Sequence, residues 1–254
     1  MVAKGEFCWI AGAARTALRA EPDHRSEQVS ELLWGEPQQI LEEHRGWAYV
    51  RGWLDGYAGW VPSGVLLPAW REGEGWQIVG VRQAPLYRNG RPVGWVSVGS
   101  LWPKTGFWRT AAGDYTTLPE ALWPGEGRKL PLGRLRRIFQ GTPYHWGGKS
   151  PAGVDCSGLV QVAYRFRGVF LPRDAYQQVE VLSPTDSPGP GDLVFFTAAE
   201  EKAPSRIVHV GLYLGAGHIF HATPSGGVHG VPLSALFTHR IHSYRTPGEG
   251  NFVI

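Results

Sequence analysis

The chain has little cysteine. Cys8 and Cys156 are its two thiols in 254 residues, so no disulfide framework holds the fold, and a bond between them would consume the most interesting nucleophile in the sequence. Both are expected to be reduced, which points to the cytoplasm. No run of about 18 or more apolar residues occurs, which excludes a helical membrane span. The first residues, Met1 to Cys8, lack the apolar stretch and small-residue cleavage pattern of a signal peptide. Positive charge is not concentrated either. The formal net charge is +3, and the cluster Arg134, Arg136 and Arg137 falls on the surface of an expected helix, so no nucleic-acid partner is expected. His145, His229, His239 and His242 have no metal-ligand spacing with one another; surface or packing roles suit them, and neither metal nor cofactor is expected. An ordinary apolar share of 43% allows a sizeable core. The length suits one large domain or two to three small ones.

What is present gathers between Gly141 and Gln177. The Gly- and Pro-rich turn Trp146-Gly147-Gly148-Lys149-Ser150-Pro151-Ala152-Gly153 leads directly into Asp155-Cys156-Ser157-Gly158-Leu159-Val160. Leu159, Val160, Val162, Ala163 and Phe166 then recur at helical spacing, so Cys156 is expected to open a helix. A thiol there meets unpaired N–H groups and the positive end of the helix dipole, which favour thiolate. A lone cysteine beside apolar residues is ordinarily a small buried hydrophobe. The second cluster changes that balance: Ile207-Val208-His209-Val210-Gly211-Leu212-Tyr213-Leu214-Gly215, then His218-Ile219-Phe220-His221-Ala222. One cysteine with histidines far downstream is the pattern of a thiol nucleophile and its base.

These residues resemble the NlpC-type, papain-like cysteine peptidases of bacterial cell-wall metabolism. The matching pieces, in the family's order, are Pro143-Tyr144-His145-Trp146-Gly147-Gly148, Asp155 to Val160, Leu171-Pro172-Arg173-Asp174, Pro190-Gly191-Asp192-Leu193-Val194-Phe195-Phe196 and His209 to Tyr213. The resemblance implies an α+β papain-like domain in which helices pack on an antiparallel sheet. It also implies cleavage of γ-D-glutamyl–diamino-acid bonds in murein stem peptides. Cys156 would be the nucleophile, His209 the base and His221 the residue that orients it, with His218 as rival. Period-2 alternation bears on that choice. A two-residue turn at Ala216-Gly217 puts His221 on the face opposite His209, whereas a three-residue loop sets it against Gly211 and diagonal to His209; the odd loop is expected. The Cys156 N–H and a donor near Tyr144 would hold the oxyanion. Tyr144, Asp155, Ser157, Arg173 and Asp174 match positions that bind the substrate, the acids facing the peptide's amino end. Ala175 stands where related members often carry Ser, so one substrate hydrogen bond is missing.

Ahead of this domain the sequence is built from short β runs. Arg19 to Pro22, Gln28 to Leu32, Pro37 to Glu43, Trp47 to Val50 and Tyr57 to Val61 are separated by Gly, Pro and the turn Asp55-Gly56, which argues a small barrel. Trp47 to Val61 resembles a late hairpin of bacterial SH3-like domains. A second β-like stretch contains Trp76 to Val79, Ala84 to Tyr87 and Val93 to Val98; it reads as another such barrel or an elaborated linker. Trp102, Trp108 and Trp123 are expected to pack in cores or between domains. A helix is expected over Leu130 to Gln140 and another over Asp174 to Val181. The expected domains are 1–68, 69–127 and 128–254. Tyr57, on the barrel hairpin, is expected to wall off the amino-end pocket. The resulting expectation is a monomeric, cofactor-free cysteine endopeptidase acting on free murein peptides such as L-Ala-γ-D-Glu-diamino acid. An inactive wall-binding protein and an amidase or acyltransferase on the same fold are the alternatives.

Overall fold

The computed structural model describes residues 7–70, 75–123, 131–198, 206–236 and 239–247. Met1 to Glu6, read above for a leader, and the tail from Gly248 lie outside the described residues. Seven strands form the first unit: Phe7–Ala11, Arg15–Arg19, Gln28–Leu33, Pro37–His44, Trp47–Gly52, Ala58–Pro62 and Leu66–Trp70. Strand alternation turns Leu18, Leu32, Ala48, Val50 and Val61 onto one small core. The hairpin joining Trp47–Gly52 to Ala58–Pro62 carries Tyr57 at its end, its N–H bonded to Asp55 Oδ1 at 3.1 Å. Asp55 thus closes the turn through its own side chain.

The stretch from 76 to 123 is built of strands as well. Trp76–Val79, Gln83–Arg88 and Arg91–Ser97 fall where the β runs were read, and Leu101–Pro103, Phe107–Thr110, Gly113–Thr116 and Leu122–Trp123 follow. The order of elements repeats: a single 3₁₀ turn precedes the last strand of each unit, Ser63–Val65 before Leu66–Trp70 and Pro119–Ala121 before Leu122–Trp123. Leu66–Trp70 spans position 68 and pairs on one side with Phe7–Ala11 and on the other with Phe107–Thr110, so one sheet runs through both units. Trp102 and Trp108 are wholly buried, and Trp123 packs on Phe166 of the third unit.

The third unit begins with α1 (Leu132–Phe139), which buries Leu135, Ile138 and Phe139. Next come α2 (Cys156–Arg165) and α3 (Ala175–Val181). Every apolar residue read as the inner face of α2 is buried: Leu159, Val160, Val162, Ala163 and Phe166. The helices rest on a six-stranded sheet in the spatial order Ser183–Pro184, His239–Thr246, Leu193–Ala198, Ile207–Gly215, His218–Thr223, Gly227–Pro232, with antiparallel neighbours throughout. Helices are fewer than strands, so the α+β description holds for this unit alone and the chain as a whole is mostly strand. One helix of the unit thereby presents Cys156 to one strand of the sheet.

Candidate active site

Cys156 is the first residue of α2, and Asp155 is its N-cap with extended backbone. The Asp155 carboxylate accepts from the N–H groups of Gly158 at 2.7 Å and Gly147 at 2.8 Å, and from the Ser157 hydroxyl at 3.2 Å. Arg173 grips both carboxylate oxygens, at 3.1 and 2.5 Å, and donates to Ser157 Oγ at 2.7 Å. The remaining guanidinium donor reaches Ser30 Oγ of the first unit at 3.0 Å. A bidentate pair of this kind fixes orientation as well as charge. Asp155 and Arg173 were read above as residues of the substrate pocket. Both are buried, their polar atoms are committed to one another, and neither lines a cavity beside the thiol. They form the floor under Cys156.

The floor changes the electrostatics of the thiol. Burial pushes the Cys156 thiol up to about 12, and the Asp155 carboxylate adds to that; the Val210 N–H, Arg173 and the Ser157 N–H act in the opposite sense. The helix terminus was expected to favour thiolate. Its N–H of Gly158 is instead taken by the capping carboxylate, which puts a negative charge beside the sulfur.

His209 and His221 are drawn together on neighbouring strands. His209 Nε2 and His221 Nδ1 are 2.8 Å apart, with both side chains buried. His218 stands at the strand end, exposed, its Nδ1 on the Ala216 carbonyl at 2.9 Å. The register explains why. Leu212 pairs with Phe220 and Tyr213 with Ile219, which sets Gly211 against His221 and His209 on the diagonal, as the odd-loop reading required. The device differs in detail: Gly215 pairs with His218 across a tight Ala216-Gly217 turn, and a bulge after Tyr213 absorbs the extra residue. Ala216 and Gly217 both have positive φ, as such turns demand. Gly211 matters here because a Cβ at that position would stand 3.0 Å from His221 Cβ and 2.5 Å from Ile219.

Two cavities meet at Cys156. One, of about 560 Å³, contains His209, His221, Tyr144, His229, Thr223 and Ser225 in its lining. The other, of about 430 Å³, is walled by Ser157, Asp174, Tyr176 and Arg206 together with Glu27, Val29 and Tyr57 of the first unit. Tyr57 and Asp174 are hydrogen-bonded. Burial, then the Asp174 charge, pushes the Tyr57 hydroxyl up to about 12, so it stays a donor; burial raises the Asp174 carboxyl above its ordinary range, against the pull of Arg173 and Tyr57. Burial likewise raises Tyr144, with Cys156 and Asp155 next among the causes. Trp146 lies on the rim of both cavities, 59% exposed, with its Nε1 on Glu27 Oε1 at 2.7 Å. Sequence reasoning passed over Trp146, Glu27 and Arg206 as site residues. Trp146 sat inside the quoted motif, and Glu27 carries no local signal. His229, read as a surface or packing residue, packs at a tilt against His221 with ring centroids 4.9 Å apart. Among the described residues no group of three or more His, Cys, Asp or Glu is placed to hold a metal ion.

Residues 141–246 match the NlpC/P60 family. Those residues, with Cys156 among them, make an NlpC/P60 domain. Residues 18–66 match the bacterial dipeptidyl-peptidase Sh3 domain, so an SH3 domain precedes it. NlpC/P60 domains occur in peptidoglycan hydrolases, and some are non-catalytic. Dipeptidyl-peptidase 6 of Lysinibacillus sphaericus is 29% identical over 246 residues, covering 82% of this chain and 85% of that relative. The γ-D-glutamyl-L-lysine dipeptidyl-peptidase of Bacillus subtilis is 42% identical over 91 residues, 35% of this chain; the match spans 30% of that relative's length. The crystal structure of an NlpC/P60 family protein from Bacillus cereus shares the fold, with TM-score 0.76 at 20% identity over 95% of this chain and 99% of that one. The likeness to that structure covers the NlpC/P60 domain and both β units.

Proposed function

We propose that the chain is a cysteine endopeptidase that cleaves γ-D-glutamyl–diamino-acid bonds in murein peptides bearing a free amino-terminal L-Ala. Cys156 is the nucleophile and His209 its base. With Nε2 turned to His221, His209 Nδ1 is the nitrogen assigned to the thiol, and His221 holds the ring in that orientation. Burial keeps the thiol protonated at rest, so transfer of its proton to His209 accompanies attack. Sulfur bonds to the γ-carbonyl carbon, the amide C–N bond breaks, and the departing amine takes the proton from His209. Water, deprotonated by the same imidazole, then breaks the thioester and releases the dipeptide acid. The Cys156 N–H and a donor near Tyr144 are assigned to the oxyanion. No metal or cofactor is needed for these steps.

One observation carries the substrate assignment: the cavity on the side of Cys156 away from the histidine pair ends at Asp174 and the barrel residue Tyr57. With Asp155 locked into the floor, the expected pair of acids reduces to Asp174, hydrogen-bonded by Tyr57. A ligand ammonium would favour the charged form of a carboxyl that burial disfavours. A chain continuing beyond the amino end would collide with the barrel, so released peptides are the substrates and intact wall is not. Both thiols are free, which suits a cytoplasmic monomer. Domain limits at 68 and 127 complete this reading.

The test is incubation with L-Ala-γ-D-Glu-diaminopimelate and with its N-acetyl form, followed by mass analysis. Release of L-Ala-γ-D-Glu is expected. Acetylation should cost roughly a hundredfold in kcat/KM, about 2–3 kcal/mol for one charge-assisted contact. Equal rates on both peptides, or efficient cutting of intact sacculi, would reject the free-amine requirement. Turnover of neither, with acyl transfer to an added amine, would favour an acyltransferase.

A further inference from the structure

The first β unit does more than close the far cavity. Its strand Gln28–Leu33 is the last in the sheet order, paired with Arg15–Arg19 along one side. Along the other side lies the loop that leads to Cys156. Glu27 accepts from Trp146 Nε1 at 2.7 Å, Gln28 Oε1 lies 3.3 Å from His145 Nε2, and Ser30 accepts from Arg173. Glu31 reaches the nucleophile by a path through main chain alone. Its Oε2 accepts from the Lys149 backbone N–H at 2.9 Å, and both groups are buried.

That N–H belongs to the peptide plane joining Gly148 to Lys149. The carbonyl of the same plane accepts from the Asp155 N–H at 3.3 Å. It also abuts the first turn of α2 so tightly that a Cβ on Gly158 would stand 2.1 Å from the oxygen. A peptide unit is rigid, so the carboxylate on one edge fixes the direction of the carbonyl on the other. Rotating the plane would lose the Asp155 contact or drive the oxygen into α2. The next residue after Asp155 is Cys156.

We infer that Glu31 is a positioning residue for Cys156, holding the 148–149 peptide plane in the one orientation that seats the α2 N-terminus under the thiol. The catalytic centre of an NlpC/P60 domain is in this chain completed by an acceptor from its SH3 domain. Arg15, which also reaches Glu31 at 3.4 Å, is half-exposed and bears on the Oε1 atom instead. The functional atom is therefore an acceptor oxygen at a given reach, not the negative charge.

Two conservative variants separate reach from charge in the full-length protein. Glu31→Gln keeps an acceptor of the same length and removes the charge; Glu31→Asp keeps the charge and withdraws the acceptor by one methylene. Glu31→Gln should retain kcat and the rate of Cys156 alkylation by iodoacetamide within about threefold. Glu31→Asp should lower kcat at least tenfold with KM within twofold, and change the alkylation rate by a similar factor, at a Tm within a few degrees of wild type. Wild-type behaviour of Glu31→Asp would overturn the inference, as would a Glu31→Gln variant as impaired as Glu31→Asp. The kcat arm rests on the peptidase reading; the alkylation arm does not. A protein that cuts no murein peptide yet shows the alkylation difference would reject that reading and leave the role of Glu31 standing.

Discussion

The two β units repeat one order of elements and are put to different uses. The first meets the NlpC/P60 domain through directional bonds from Glu27, Ser30, Glu31 and Glu36, each to a named donor in or beside the nucleophile loop. The second meets it through area and through arginines on main-chain carbonyls. Trp123 packs on Phe166 with ring centroids 5.7 Å apart, Arg82 donates to the Ile138 and Pro151 carbonyls, and Gly99 O accepts from Arg165. The first unit contributes Glu27, Val29 and Tyr57 to the cavity wall; the described residues of the second contribute none. Apolar burial is tolerant of small shifts, whereas a hydrogen bond weakens steeply with distance and angle. Both units make directional bonds to the NlpC/P60 domain; the first also shapes the cavity wall.

The comparison stands on the chemistry being where we place it, and that has the largest expected effect. Cys156→Ala should abolish peptide turnover with Tm unchanged within a few degrees, and alkylation of native protein should label Cys156 ahead of the buried Cys8. Turnover in that variant would leave neither β unit facing the reaction. His209→Ala should cost on the order of a thousandfold in kcat and His221→Ala about tenfold, because loss of the base removes proton transfer and loss of its neighbour only misaligns it. Equal losses, or a loss at His218→Ala instead, would assign the roles differently.

The next effect lies where the first unit is anchored. Glu36 is buried against Lys149, at 3.0 Å, and Arg165, at 2.7 Å. Burial works to raise its carboxyl pKa, but the two cations outweigh burial and hold it below the ordinary value of 4.5. A depressed carboxyl contributes stability that is complete above its unfolded value and disappears as pH falls through the folded one. Glu36→Gln should therefore cost about 3–5 kcal/mol at pH 7, by leaving two buried cations without their anion. The difference from wild type in urea midpoint should shrink progressively as the pH is lowered below about 4.5. A gap that does not change with pH would mean that the carboxylate charge does not secure the junction.

Smaller effects sharpen the contrast itself. Tyr57→Phe should lose about tenfold in kcat/KM on the free-amine tripeptide and less than twofold on the acetylated one, since the hydroxyl serves the acid facing the amine. Trp123→Ala should instead cost about 2 kcal/mol of stability, read in urea, with kcat within twofold of wild type. If Trp123→Ala lost activity as Tyr57→Phe does, the division of labour between the two units would be wrong.

Much of this was legible in the sequence because it is written locally. Cys156 at a helix start, the strand around His209 and the Asp55-Gly56 hairpin each follow from spacing within about ten residues. His221 over His218 followed from alternation, although the extra residue proved to sit in a bulge after Tyr213 rather than in the loop. The very short strands Leu101–Pro103 and Leu122–Trp123 have too few residues for a period to show. The partners of Asp155 were illegible for another reason. Its position matches a family motif, but which oxygens are already occupied depends on Arg173 and Gly147 arriving from elsewhere in the chain. The rise of the thiol pKa follows from burial beside that carboxylate, which no run of residues displays.

The covered strand Gln28–Leu33 has a consequence for how the chain is made. Glu31 and Lys149 are 118 residues apart, so the ribosome releases the strand long before the loop that covers it. At roughly 5–20 residues per second the wait is on the order of ten seconds, during which a complete barrel has one row of main-chain donors and acceptors open to other chains. The nucleophile loop, emerging later, meets the side chains of Gln28 and Glu31 already set out on that strand. Synthesis thus runs from template to reactive group. A nascent chain that stops between the two β units has no thiol site to misfire, and one that reaches α2 brings its nucleophile to the side chains of a strand made long before.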